Sequence, residues 1–230
     1  MNTRERLPII AIRPEPGLSQ TIAAGKEAGL TIAGLPLSVI EPVPWQLPDT
    51  ASLDALLIGS ANAIRLGGKQ LEEVQHLPVY AVGQTTAKLA REAGFEIAAV
   101  GEGGLQDLTD RSDLANLHVL RLAGEERISL HPPIGMRISE RIVYKVAHQP
   151  LSEKGQVLLK DGGLVLLHSA SAAANFAQEC ERVGLDCRLI SLAALGPRIL
   201  AAAGSGWGQT HAANRPTTRE LLALAADMWQ

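Results

Sequence analysis

The sequence predicts an α/β protein of two similar domains, each a parallel sheet flanked by helices, and three observations carry that prediction. Short apolar runs alternate with helical patterns along the chain, the layout of parallel strands covered on both faces. Several segments of the first half recur in the same order in the second, at a nearly constant offset. The 230 residues are 46% hydrophobic and 20% charged, a mixture that can bury a core. That length suits two small domains better than one, since domains usually hold roughly 100 to 150 residues.

Residues 7–12 read as the first strand, stopped by Arg13 and Pro14, 18–28 as a helix closed by Gly29, and 31–35 as a second strand. Further strands are expected at 55–58, 79–82, 97–100, 118–122, 138–144, 164–167, 189–192 and 209–212, with helical patterns in most of the gaps. The repeat is visible when Leu56-Leu57-Ile58-Gly59-Ser60-Ala61-Asn62-Ala63 is set beside Val165-Leu166-Leu167-His168-Ser169-Ala170-Ser171-Ala172. It continues as Tyr80-Ala81-Val82-Gly83 beside Ala193-Ala194-Leu195-Gly196, and in the Gly-aromatic pairs Gly94-Phe95 and Gly206-Trp207. Residues 104–108 correspond more loosely to 218–222.

Each half is preceded by its own β-α-β unit, 7–41 and 118–146. Two partitions follow. The domains are consecutive, with a cut near 115, or interleaved, with the first β-α-β unit packed on the second half. Interleaving makes the chain cross twice. The proline-bearing segments 34–44 and 143–150 suit such crossings, because proline favours extended backbone and cannot join a central strand.

Charge narrows the partners. With 21 Lys+Arg against 24 Asp+Glu, the net charge of −3 lacks the positive surplus that binding to a phosphate backbone uses, so nucleic acid is not an expected partner. Aromatic residues are 3% of the chain, which leaves few stacking surfaces and puts recognition on polar groups. Cys180 and Cys187 fit no metal or redox spacing and read as plain thiols near a helix end. The apolar run at 7–12 is interrupted by Pro8 and is too short for a signal-peptide core of roughly 7 to 15 residues. No stretch approaches the roughly 20 apolar residues of a membrane span. The expected location is therefore cytoplasmic, without membrane contact.

In open parallel sheets, ligands bind beyond the carboxyl ends of the strands, where helix N-termini present free N–H groups. Small and hydroxyl residues gather at these ends. Ser60 and Asn62 follow one strand, Thr85 and Thr86 a second, Gly124 a third, Ser169 and Ser171 a fourth, and Gly196 a fifth. Each alone is an ordinary helix cap, but five such edges in two repeated halves favour a shared anion-binding cleft. Arg13 and Arg121 end two strands and Arg198 sits just inside a helix start. Each could grip a carboxylate through two parallel hydrogen bonds, or serve in a surface ion pair. Tyr144 closes a strand, and its phenol could donate a proton; a half-buried strand tyrosine is the plainer reading. His168 and Ser169 adjoin on extended backbone and point in opposite directions, so they form no dyad. No zinc-site spacing and no glycine-rich phosphate loop occurs, and neither a metal nor a nucleotide cofactor is expected.

The ordered strings Ile12-Arg13-Pro14, Gly59-Ser60-Ala61-Asn62-Ala63, Ala81-Val82-Gly83-Gln84-Thr85-Thr86-Ala87, Leu120-Arg121-Leu122-Ala123-Gly124-Glu125, Val143-Tyr144, Ser169-Ala170-Ser171 and Ala194-Leu195-Gly196-Pro197 together resemble the uroporphyrinogen-III synthase family. The resemblance covers nearly the whole chain. It implies interleaved α/β domains joined by a two-stranded linker, 1–36 with 148–230 and 37–147, and an active site in the interdomain cleft. It implies hydroxymethylbilane as substrate, cyclised to uroporphyrinogen III with inversion of ring D and loss of water, without metal or organic cofactor.

By the same resemblance Tyr144 would help the hydroxyl leave. Substrate contacts would fall at Arg13, Ser60, Asn62, Gly83, Thr86, Gly124, Ser169, Ala170, Ser171, Gly196 and Arg198. Many members carry hydroxyl residues after the second Gly-Pro, where this chain has Arg198. A cytoplasmic monomer in transient contact with hydroxymethylbilane synthase is also implied. The contrasting expectation is a two-domain protein that binds tetrapyrroles or polycarboxylates without catalysis.

Overall fold

The computed structural model describes residues 7–229. The chain begins β1 (Ile9–Ala11), α1 (Gly17–Glu27), β2 (Ile32–Gly34) and β3 (Ser38–Pro42). It continues through β4 (Ala55–Ile58), α2 (Ala61–Leu66), β5 (Val79–Val82), α3 (Gln84–Glu92), β6 (Ile97–Gly101) and α4 (Leu105–Thr109). Two longer strands follow, β7 (His118–Gly124) and β8 (Arg137–His148). The remainder is α5 (Glu153–Leu159), β9 (Gly163–Leu167), α6 (Ala170–Val183), β10 (Ile190–Ala194), α7 (Pro197–Ala203), β11 (Thr210–Ala212) and α8 (Thr218–Met228). No described helix is long and apolar enough to cross a membrane.

The chain divides into two compact units, Met1–Val39 with Ala147–Gln230, and Ile40–Val146. The first holds a parallel sheet in the order β11-β10-β9-β1-β2. The second holds β3-β8-β7-β4-β5-β6, parallel from β8 to β6. The sequence repeat thereby acquires a structural meaning. The triplets β4-β5-β6 and β9-β10-β11 hold the same places in the two sheets, each flanked by a pair, β7 with β8 or β1 with β2. In one unit the pair follows the triplet along the chain, and in the other it precedes it.

Central strands are continuous apolar runs because both faces are covered. Every residue of β4 (Ala-Leu-Leu-Ile) and β9 (Gly-Leu-Val-Leu-Leu) is buried. Successive side chains alternate between faces, so each sheet carries two cores. In the first unit Ile10, Val165 and Leu192 pack with Phe176 and Cys180 of α6, while Ile9, Leu166 and Ala193 pack with Leu18 of α1 and Leu221 of α8. In the second, Leu56, Val79 and Leu120 pack with Ile64 and Ala87 of α2 and α3. The opposite face, with Leu57 and Tyr80, is covered by Leu105 and Leu108 of α4.

Two expectations are corrected. No helix joins β7 to β8, so 118–146 is not a β-α-β unit. Residues 125–136 cross without one, since Pro132 and Pro133 remove consecutive backbone donors there. Tyr144 does not close a strand, because β8 runs on to His148. It is carried forward beside β3, where Val43 N–H donates to Val143 O at 3.0 Å and Gln149 N–H to Leu37 O at 2.9 Å. These bonds run in opposite chain directions, so the two strands are antiparallel. Pro42 ends β3 at a sheet edge, where proline is tolerated.

Helix ends follow local chemistry. Ser169 caps α6 by accepting the Ala172 N–H at 3.2 Å, and Gly184, left-handed at φ +72°, closes it. Phe176 on this helix is fully buried and stacks on Trp207, ring centroids 5.4 Å apart. Phe176→Ala should lower unfolding stability by about 3–5 kcal/mol. Urea unfolding of the full chain checks this, and a loss under about 1 kcal/mol would mean that the ring is not close-packed.

Candidate functional site

The two units place equivalent residues at equivalent strand ends. Ser60 follows β4 and caps α2, accepting the Asn62 N–H at 3.2 Å; Ser169 follows β9 and does the same for α6. Gly83 precedes α3 and Gly196 precedes α7, neither supplying a side-chain cap, so donors at these helix starts are left to other partners. Thr86 is buried in the first turn of α3. The Asn62 amide oxygen is engaged within α2 by Arg65 Nη1 at 2.9 Å. Ala170 opens α6, and Ser171 beside it is hydrogen-bonded to His148 Nε2 at 2.8 Å. Arg198 is exposed in the first turn of α7.

In the second unit, Tyr144 is set by a register shift. Ala123 pairs with Ile142 but Gly124 pairs with Tyr144, so β8 bulges by one residue. The Tyr144 ring lies directly on Gly124, where an added Cβ would come within 2.6 Å of the ring. Glycine is needed there for close approach rather than for an unusual backbone angle. The Tyr144 hydroxyl takes no hydrogen bond from the described residues and faces a pocket of about 240 Å³ lined also by Ser60, Gly104, Arg121, Gly124 and Arg127. Ser60, Gly124 and Tyr144 are thus brought together; Asn62, Gly83 and Thr86 do not line that pocket.

Arg121 is not at a strand end, as the sequence suggested, but inside β7 and only 3% exposed. Its Nη1 pairs with Glu140 at 2.9 Å and its Nη2 donates to Ile128 O at 2.9 Å, while Nε is buried without a partner. Arg127 completes the cluster through Nε on Glu140 at 2.6 Å and Nη1 on Glu125 O at 2.8 Å. Burial holds Arg121 below its ordinary pKa, opposed by Glu140 and reinforced by Arg127. Together these bonds fasten the 125–136 crossing to the sheet. An adjoining hollow of about 520 Å³ continues beneath it, past Ile128 and Pro132. Nothing in the Glu125-Glu126-Arg127 string marks Arg127 as a lining residue, since a charged loop usually faces solvent.

In the first unit, Arg13 follows β1 and folds back over Gly17, the first residue of α1, where a Cβ would strike the guanidinium. Its Nη1 donates to Thr21 Oγ1 at 3.3 Å, and Thr21 meets His168 Nε2 at 3.4 Å. Thr21 is fully buried, and His168 Nδ1 is buried without a partner. Burial, assisted by the charge of Arg13 and opposed by the Leu166 backbone beside the ring, pushes the His168 pKa down to about 4. The sequence did not mark Thr21, because a threonine inside an amphipathic helix carries no distinguishing pattern.

A family model described as uroporphyrinogen-III synthase HemD matches residues 19–223. No curated protein matches the sequence. Among solved structures, uroporphyrinogen-III synthetase from Helicobacter pylori 26695 is similar at 19% identity and a TM-score of 0.67, covering 96% of this chain and 99% of that one. A mutant uroporphyrinogen III synthase from the extremely thermophilic bacterium Thermus thermophilus is similar at 17% identity and a TM-score of 0.50, covering 96% and 98%. At these identities the likeness is one of fold.

The depressed pKa of His168 has a sign. The folded state resists the proton that the unfolded chain accepts below about 6.5, so the stabilisation is fully present above that pH and is lost as pH falls towards 4. The loss should be on the order of 1–3 kcal/mol. Urea midpoints between these pH values should fall less steeply in His168→Gln, and identical slopes would show that His168 titrates normally.

Proposed function

Because this chain belongs to the uroporphyrinogen-III synthase family, we propose that it converts hydroxymethylbilane, a linear tetrapyrrole with eight carboxylates, into uroporphyrinogen III. The observation that carries the chemistry is the Tyr144 phenol, held on Gly124 at the edge of an open pocket with its hydroxyl unengaged by described residues. The family acts in tetrapyrrole biosynthesis, and its reaction needs neither redox change nor group donor.

Tyr144 gives its proton to the departing hydroxyl, which leaves as water and turns the terminal ring into an electrophilic azafulvene. The substituted carbon of ring D attacks, and the resulting spiro intermediate fragments and recloses with that ring inverted. The proton released as the last pyrrole regains aromaticity restores the phenol, so the cycle balances. Since the bilane closes unaided to the uninverted isomer, holding one folded geometry matters more than proton transfer.

Carboxylates can be held without a large lysine count. Free backbone N–H groups at helix starts accept anions, and the glycine-opened start of α3 and the start of α6 supply them. Arg13 and Arg198 are the proposed charged contacts, with Arg198 standing in for a hydroxyl residue. Ser60, Asn62, Gly83, Thr86, Gly124, Ser169, Ala170, Ser171 and Gly196 complete the proposed binding set. A monomer is proposed, with transient contact to hydroxymethylbilane synthase.

The test is the ratio of type III to type I uroporphyrinogen, read after oxidation, when purified protein meets freshly generated hydroxymethylbilane. Predominant type III is expected. Tyr144→Phe should fold normally and lose at least about tenfold in kcat, about 1.4 kcal/mol of transition-state stabilisation. Gly124→Ala should show a comparable loss through displacement of the ring. Near-normal turnover in Tyr144→Phe would remove the proton-donor role, and type I alone from folded wild type would favour a binding protein without catalysis.

A further inference from the structure

The bulge that places Tyr144 is bonded on both sides, and one guanidinium links the two. The extra residue is Val143, between Ile142, which pairs with Ala123, and Tyr144, which pairs with Gly124. Val143 is buried and its carbonyl takes the Val43 N–H at 3.0 Å, so it is committed to the core and to the neighbouring segment. A bulge of this kind re-aims the side chain beside it. Past the bulge, Tyr144 O accepts the Glu125 N–H at 2.9 Å. Ahead of it, Glu140 lies opposite Arg121 and divides its carboxylate between two arginines, Oε2 to Arg121 at 2.9 Å and Oε1 to Arg127 at 2.6 Å. Arg127 closes the circuit, with Nε on Glu140 and Nη1 donating to Glu125 O at 2.8 Å. It thereby ties β8 before the bulge to the residue whose amide holds the Tyr144 backbone after it.

We propose that Arg127 is a positioning residue for Tyr144, a brace across the bulge that keeps the phenol over Gly124 in the pocket that both side chains line. An exposed ion pair alone contributes little. Here the carboxylate is already fixed by the buried Arg121, which also holds Ile128 O, so Arg127 is fastened to an immobile point. Its planar fork meets two acceptors at once, which a lysine ammonium on a flexible stem does not reproduce. Loss of Arg127 frees the Glu125 carbonyl and leaves 125–128 held to Glu140 only through Arg121. Because Glu140 keeps Arg121, no buried charge is stranded and the fold should persist. The synthase reading enters only in the effect on turnover, where a reacting group misplaced by about 1 Å can cost on the order of 100-fold.

The experiment uses the two tyrosines of the chain, Tyr80 and Tyr144. Ring-13C tyrosine labelling of the full-length protein gives NMR signals assigned with Tyr144→Phe, and Tyr80, whose hydroxyl donates to Asp113, is the internal reference. Arg127→Gln should move or split the Tyr144 signals and leave those of Tyr80 in place. Arg127→Lys keeps the charge but not the fork, and should move them part of the way. Unmoved Tyr144 signals in Arg127→Gln overturn the brace, as do signals in Arg127→Lys identical to wild type, which would show that charge alone suffices. If Arg127→Gln does not fold, Arg127→Lys decides by the same criterion. On turnover, Arg127→Gln should lower kcat about fivefold with KM for hydroxymethylbilane changed less than about twofold, and Arg127→Lys should recover part of the loss. Added to Tyr144→Phe, Arg127→Gln should cost less than about twofold more, since it acts through the phenol. A raised KM at unchanged kcat, or losses that multiply in the double variant, overturns the positioning role. If wild type yields type I alone, the synthase reading falls, and the tyrosine signals still decide the brace.

Discussion

Ile9, Ile10 and Ala11 of β1 lie in parallel register with Leu164, Val165 and Leu166 of β9, all of them buried, and this pairing joins two segments that the whole of the other unit separates in the chain. Without it the first unit has no centre, since β2 hangs on β1 and β10 on β9. It also obliges the chain to leave that unit and return, which it does through β3 and β8. The closure entropy of so long an excursion grows only slowly with length. It is offset by burial of apolar strands on both faces, worth roughly 25 cal/mol for each Å² removed from water.

The two units share a strand plan but differ where chemistry is proposed. In the first, α1 fills the crossover between β1 and β2, and its N-terminus receives Arg13. In the second, the crossover between β7 and β8 has no helix, and the uncovered space becomes the pocket that Tyr144 faces. An ion cluster anchored on the buried Arg121 fastens the irregular segment instead. Arg121 and Arg127 share Glu140, and Arg121 also holds Ile128 O. Such clusters add little net stability, because desolvation offsets the attraction, but removing one partner leaves an uncompensated charge. The geometry is therefore held more by the penalty for breaking it than by its own strength.

A protein of net charge −3 that handles a polyanion needs local rather than global positive potential. Backbone donors at helix starts are the proposed source that adds no charge. Arg13 is the proposed charged source, in a half-buried setting where screening is weaker, and His168 stays neutral beside it. Both effects arise from burial, which lowers the tendency of each group to carry charge and raises the value of any anion that relieves it.

By itself the sequence determined the strands other than β3, and their repeat, because continuous apolar runs and glycine or serine punctuation are local signals. It marked Ser60, Thr86, Ser169 and Gly196 as strand-end residues for the same reason. Tertiary structure alone decided which β-strand pair joins which triplet, since both partitions satisfy the same periodicity and only long-range pairing of β1 with β9 separates them. It also decided the fate of individual side chains. Arg121, read as a carboxylate ligand or a surface ion pair, is buried and paired with Glu140; Tyr144 is placed by a bulge and by the missing side chain of Gly124; and Thr21 of α1 lies between Arg13 and His168. These contacts link residues distant in sequence, and no local pattern encodes a distance between them.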